Sequence, residues 1–210
     1  MTLGPSEKEG VIRGNKFYHK DLDITITFPE GWKIDNLPDR LIASNKDKDA
    51  VMQISLRDLN KRQTPKEFIQ DQFGNELRSE QDVKTESFKG YTAITRTKTP
   101  FGDQDTRIAA IFRDKQVYQI LAAGKDPSIL KKHDKDFLST VNSLRKLRSD
   151  EEELAKARKI KLITAKKGDT FAKLAKLSPL SSHAEEQLRL LNGLYPDGEP
   201  TPGKPIKIVE

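Results

Sequence analysis

The chain has 210 residues, of which 34% are hydrophobic and 33% charged, with no cysteine and a formal net charge of +6. This length accommodates one large domain or two small ones, at the usual roughly 100 to 200 residues per domain. The lack of cysteine excludes disulfide scaffolds, thiolate zinc sites, cysteine nucleophiles and thiol redox chemistry. Even with glycine counted, only about 40% of the residues are apolar, against roughly 45–50% in globular chains, which predicts small cores and heavily solvated surfaces.

The positive charge is spread evenly along the chain. From Glu151 to the C-terminus there are 11 Lys and Arg residues against 9 Asp and Glu, which leaves 27 against 23 before it. Acidic and basic residues alternate at 45–50 and 131–136, as on a solvated surface, which argues against nucleic-acid binding. No apolar run reaches the roughly 18 residues of a membrane span, and residues 1–10 lack the apolar region of a signal peptide. We therefore expect a soluble chain without a membrane span or an export signal.

Residues 1–15 are predicted to form an extended lead-in, and residues 16–148 a first domain. Apolar and polar side chains alternate at 21–28, which predicts a strand with one buried face. Further apolar segments predict strands at 16–19, 32–34, 41–44, 50–56, 83–88, 91–99, 106–113 and 117–123. Tight reversals at 89–90 and 114–115 would make neighbouring strands antiparallel.

Two helices are expected to pack on this sheet. Thr64, Pro65 and Glu67 provide an N-cap, a first-turn proline and a capping-box glutamate. The second helix begins near Asp126, and its apolar stripe consists of Leu130, Phe137, Val141 and Leu144. This order of elements predicts an α+β domain in which an antiparallel sheet is flanked by helices.

Residues 149–159 are predicted to form a charged, solvated linker helix. Three glutamates precede several basic residues, an order that suits the helix dipole, and Leu154 is the only large apolar side chain. Residues 160–210 predict a second domain in the order strand, helix, helix, strand. Its two strands, at 160–164 and 206–209, are expected to pair. Gly168 permits a turn, after which Asp169 or Thr170 can cap the first helix. Phe171, Leu174 and Ala175 are expected to face inward from this helix.

The second domain resembles the LysM family. The resemblance rests on Gly-Asp-Thr-Phe at 168–171, Leu-Asn at 191–192 and Pro-Gly-x-x-Ile-x-Ile at 202–208. LysM domains typically bind N-acetylglucosamine polymers, peptidoglycan or chitin, between the first turn and the loop after the second helix. The resemblance implies a groove lined by Gly168, Asp169, Thr170, Phe171, Asn192, Gly193, Leu194 and Tyr195. The same residues also have a purely structural interpretation, as helix caps, a helix stop and, for Tyr195, the edge of a core.

The chain as a whole resembles the C-terminal, non-catalytic region of exported bacterial zinc metallopeptidases related to the CAAX-processing proteases. The residues that carry this resemblance are 9–19, Ile-Thr-Phe-Pro-Glu-Gly-Trp at 26–32, and 188–203. Through the Phe-Pro-x-Gly-Trp turn and the helix at 137–144, the first domain also resembles the PsbP and Mog1 type of α/β sandwich. The resemblance implies a periplasmic or extracytoplasmic location, with zinc bound only by an absent HExxH catalytic domain.

The sequence contains no catalytic constellation. Zinc hydrolysis requires two histidines at i and i+4 on one helix with a third ligand, whereas His19, His133 and His183 are far apart. We expect each of them to lie at the surface or at the boundary of an element. A nucleophile elbow, a P-loop and a dinucleotide-binding fingerprint are also absent. We therefore expect no enzymatic activity, no cofactor and no metal site in this chain.

Two functional hypotheses follow from different classes of protein. In the first, the chain is an accessory region that positions a secreted metallopeptidase by binding peptidoglycan, another N-acetylglucosamine polymer, a partner protein or a protease substrate. In the alternative, it is a stand-alone peptidoglycan-binding adaptor of the cell envelope. An enzyme in its own right is the least favoured interpretation.

Overall fold

The computed structural model describes residues 2–3, 9–180 and 182–210. Residues 1 and 4–8 of the predicted lead-in lie outside this description. Within it, the chain forms a mixed α+β fold with antiparallel sheets and four α-helices, as the order of elements predicted. No helix in the described ranges is both long and apolar enough to cross a membrane.

A seven-stranded antiparallel sheet forms the centre of the first domain. In spatial order, its strands are β5 (Lys33–Leu37), β6 (Arg40–Ser44), β7 (Ala50–Asp58), β11 (Gln116–Gly124), β10 (Gly102–Arg113), β9 (Lys89–Thr99) and β8 (Arg78–Lys84). The predicted reversal at 114–115 joins β10 to β11. The reversal predicted at 89–90 is wrong, because β9 already begins at Lys89. The Thr85 hydroxyl accepts hydrogen bonds from the backbone N–H groups of Ser87 and Phe88. The turn therefore lies at 85–88, and β8 ends before it.

Both faces of this sheet are covered. On one face lie the helix α2 (Pro127–Ser143) and a small sheet of β2 (Val11–Arg13), β3 (Lys16–His19) and β4 (Ile24–Thr27). The opposite face carries α1 (Pro65–Phe73). The predicted capping box of α1 is confirmed: Thr64 Oγ1 accepts from the Glu67 N–H at 3.2 Å, and the Glu67 carboxylate accepts from the Thr64 N–H at 2.6 Å.

The predicted lead-in already contains paired strands. Strand β2 falls within it, and β1 (Thr2–Leu3) pairs with β12 (Arg158–Thr164), with Thr2 opposite Lys159 and Leu3 opposite Arg158. A short polar strand has no clear periodicity of its own, so the partner that orders it cannot be recognised locally.

Residues 149–159 do not form the predicted linker helix. They contain one 3₁₀ turn, Ser149–Glu151, followed by non-helical turns. The Glu151 carboxylate accepts a hydrogen bond from each terminal nitrogen of Arg145 at 2.7 Å. Three residues of the segment are buried: Glu151, Ala155 and Ala157. The segment has no apolar stripe to bury, so packing does not stabilise a longer helix. The ion pair between Glu151 and Arg145 holds the segment against the first domain instead.

The C-terminal unit has the predicted order of elements. Strand β12 is followed by α3 (Phe171–Leu177), α4 (Ala184–Leu191) and β13 (Pro205–Val209). The two strands pair in antiparallel register, with Ile160 opposite Val209. The small core of this unit has four buried members: Phe171, Leu180, Leu188 and Val209.

Candidate functional site

The turn before α3 and the loop after α4 are held together by Glu199. Its carboxylate accepts a hydrogen bond from the Phe171 N–H at 2.8 Å and forms an ion pair with the Arg189 guanidinium. Arg189 also donates from Nε to the Gly198 carbonyl at 3.0 Å and pairs with Glu185 at 2.7 Å. These bonds from Phe171, and then Arg189, hold the pKa of Glu199 below its usual value. We call this arrangement, the turn at 168–171 and the loop at 192–199, the turn–loop site.

The Asp169 side chain closes the turn, and the Thr170 side chain caps α3. Asp169 Oδ2 accepts from the Lys166 N–H at 2.8 Å, and Thr170 Oγ1 accepts from the Lys173 N–H at 3.2 Å. Gly168 lies at φ +89°, a left-handed conformation that glycine adopts without strain. Asp169 and Thr170 are half-buried and Gly168 is exposed, so this side of the site presents largely backbone to solvent.

Asn192 has a structural role. Its Oδ1 accepts from the Lys207 N–H at 2.7 Å, while Nδ2 donates to the carbonyls of Lys207 and Leu188, both at 2.8 Å. These bonds fasten the end of α4 to β13. Both polar atoms of the side chain are engaged within the unit, so it has little capacity left for a ligand.

Phe171 faces inward, as the apolar face of its helix predicts, and does not present its ring to a groove as the LysM resemblance implies. It is 0% exposed and packs with Leu188 and Val209 in the core. Leu194 is half-buried against the same core. Gly193 and Tyr195 are exposed, with Tyr195 at 57%. The solvent-facing part of the site therefore consists of Gly168, Gly193 and the Tyr195 ring, together with Pro196, Asp197 and Glu199.

Glu199 and Arg189 were not among the residues predicted from the sequence. They lie 28 and 18 residues from Phe171, so periodicity along one element does not connect them with it. The only sequence signal that could have pointed to Glu199 is the presence of an acidic side chain within the Pro- and Gly-rich segment 196–205.

The three histidines occupy separate environments. His183 immediately precedes α4 and is exposed, and His19 Nδ1 accepts from the Leu22 N–H at 3.2 Å. His133 is not at the surface as predicted, because it packs edge-on against Trp32 with ring centroids 5.6 Å apart and its side chain is only 12% exposed. Across the described part of the chain, no three His, Asp or Glu side chains are grouped to hold a metal ion.

No protein-family model matches the chain, and a search of curated proteins found no match. The chain is similar to several solved structures. The solution structure of the cyanobacterial PsbP protein from Synechocystis aligns with 65% of this chain and 95% of that one, at 9% identity and a TM-score of 0.47. A crystal structure from Bacteroides thetaiotaomicron aligns with 79% of this chain and 59% of that one, at 11% identity and a TM-score of 0.47. A Pseudomonas aeruginosa protein of unknown function aligns with 60% and 92%, at 15% identity and a TM-score of 0.39.

At such identities and TM-scores, the similarities transfer neither a ligand nor an activity to this chain.

Proposed function

We propose that this chain is a non-catalytic binding region whose C-terminal unit binds N-acetylglucosamine polymers at the turn–loop site. The observation that carries the proposal is the Glu199 bridge, which holds the loop bearing exposed Tyr195 against the turn at Gly168. The LysM-like sequence pattern supports the same ligand class.

The exposed groups suit an amino sugar. The Tyr195 ring offers an apolar face for the C–H groups of a pyranose and a hydroxyl that can hydrogen-bond. At Gly193 no side chain covers the backbone, so a ligand can approach its carbonyl group closely. The Gly168 carbonyl already accepts a hydrogen bond from Lys173 Nζ at 2.7 Å. The site therefore offers hydrogen bonds to hydroxyl and acetamido groups without requiring a charged ligand.

The wider context of this activity rests on the sequence resemblance. We propose that the chain serves a secreted zinc metallopeptidase as an accessory region, bringing the catalytic domain to the cell wall or to a protein partner. The stand-alone adaptor makes the same prediction for the turn–loop site and differs only in having no protease partner.

Replacing Tyr195 with alanine is expected to weaken the binding of N-acetylglucosamine tetramer by about tenfold, or about 1.4 kcal/mol, because the sugar loses its aromatic contact. Isothermal titration of the full chain measures this change. Tyr195→Phe keeps the ring and should retain most of the affinity. The matched control is Leu177→Ala, since Leu177 is 85% exposed in the same unit but lies outside the site. Equal affinities for all four proteins, or no binding by the unaltered chain, would contradict the proposal.

A further inference from the structure

A cavity of about 440 Å³ lies between the small sheet and the central sheet of the first domain. Its volume is within the roughly 300–1,000 Å³ typical of small-molecule pockets. The wall contributed by the small sheet includes Phe17, Ile24 and Ile26, and the facing wall from the central sheet includes Leu41, Ile54 and Leu56. The cavity contains no residue of the turn–loop site, so its ligand is independent of the glycan-binding proposal.

A space of this size is more than a packing defect. Protein interiors are close-packed, and voids larger than a water molecule are few in any domain. The walls are mainly aliphatic, and most of them belong to side chains that are otherwise buried in the main core. An apolar ligand would restore the contacts that an empty cavity forgoes. The cavity is also accessible, since Leu37 at its mouth is 42% exposed.

The mouth of the cavity disfavours a negatively charged ligand. Among the described residues that line the cavity, Arg40 is the only Lys or Arg, and its Nε donates to Asp39 at 3.0 Å. The hydrogen bond from Arg40 keeps the pKa of Asp39 below its usual value, so this carboxylate is charged at neutral pH. A ligand carboxylate at the mouth would meet the Asp39 carboxylate and a cation that is already paired with it.

From these observations we infer that the cavity binds a neutral aliphatic molecule, with its alkyl chain between the two sheets and an uncharged polar end at the mouth. Leucine and isoleucine walls match a flexible alkyl chain. Polar groups at the mouth, among them Asn36 and His19, match a hydroxyl or ester end rather than an ion.

The ligand class is tested by displacing a neutral fluorescent probe, N-phenylnaphthylamine, from the full chain. We expect saturable probe binding, and we expect dodecanol to displace the probe at a concentration about tenfold lower than dodecanoate at pH 8, a difference of about 1.4 kcal/mol. Asp39→Asn should narrow this difference, because it removes one negative charge from the mouth. Displacement by dodecanoate at an equal or lower concentration than dodecanol would overturn the assignment of an uncharged end.

Two variants locate the probe within the cavity. Leu56→Trp fills the space between the sheets, and Leu37→Trp obstructs the mouth from an exposed position where folding is little affected. Each should weaken probe binding about tenfold or more. Leu121→Trp is the matched control, because Leu121 packs with the core on the opposite face of the same sheet. If Leu37→Trp and Leu121→Trp bind the probe as tightly as the unaltered chain, or if that chain shows no saturable binding, the inference is wrong.

Discussion

Replacing Phe171 with alanine is expected to unfold the C-terminal unit while the first domain stays folded. Phe171 is fully buried and is one of only four buried members of that core. A buried Phe→Ala change costs about 3–5 kcal/mol, whereas a unit of this size has a total stability on the order of 2–8 kcal/mol. The loss is therefore comparable with the whole stability of the unit. Amide hydrogen exchange followed by NMR measures it residue by residue, and it should show protection lost in β12, α3, α4 and β13 but retained in the first domain.

This prediction separates the structural role of Phe171 from the groove role inferred from the sequence. Leu177→Ala is the control, since a change at this highly exposed position is expected to alter stability by less than about 0.5 kcal/mol. A Phe171→Ala protein that kept native exchange protection but lost glycan binding would show that the ring contacts the ligand, contrary to the buried position described above.

Replacing Glu151 with glutamine is expected to lower the free energy of unfolding by about 2 kcal/mol at pH 7, between the values for exposed and fully buried ion pairs. Glu151 and Arg145 form two hydrogen bonds of 2.7 Å, and their side chains are 11% and 14% exposed. Arg145 is itself fixed to β4 through backbone hydrogen bonds with Thr25. Breaking the pair thus loosens the connection between the two units.

The same ion pair predicts a specific dependence on pH. The hydrogen bonds from Arg145 lower the pKa of Glu151 from 4.5 to about 2. A carboxyl whose pKa is lowered by folding stabilises the folded state above its unfolded pKa, and this stabilisation is lost as the pH falls through the folded value. Urea unfolding measures the free energy of unfolding of the unaltered chain and of Glu151→Gln. The difference between these two free energies should therefore be largest above pH 4.5 and decrease towards pH 2.

Glu153→Gln is the matched control for this measurement. Its side chain is 78% exposed on the same segment, and its exposed ion pair with Lys156 contributes little. A difference between the unaltered chain and Glu151→Gln that stays constant down to pH 2, or an equal effect of Glu153→Gln at pH 7, would contradict the role assigned to Glu151.

The order of elements was predictable from the sequence because its signals are local. Thr64 and Glu67 lie three residues apart and cap the helix that they begin. Alternation at 21–28 placed Ile24 and Ile26 correctly on a buried face. Thr25, expected on the exposed face, is buried because the backbone of Arg145 pairs with it. That contact joins residues 120 positions apart, and no local pattern encodes it.

The candidate site was predictable only in part, for the same reason. Sequence analysis identified the turn at 168–171 and the loop beginning at Asn192, and the structure places these segments together. The bridge between them depends on Glu199, whose partners lie 10 and 28 residues away. The inward orientation of Phe171 was predictable from the apolar face of its helix, whereas the groove position implied by the LysM resemblance was wrong.

The central claim, that the turn–loop site binds N-acetylglucosamine polymers, is tested most directly by NMR titration of the isotope-labelled full chain with N-acetylglucosamine tetramer. The account predicts saturable shifts of backbone amides that cluster at 168–171 and 193–195, with the signals of the first domain unchanged. Saturating ligand that leaves these amides unshifted, or shifts that cluster elsewhere in the chain, would contradict it.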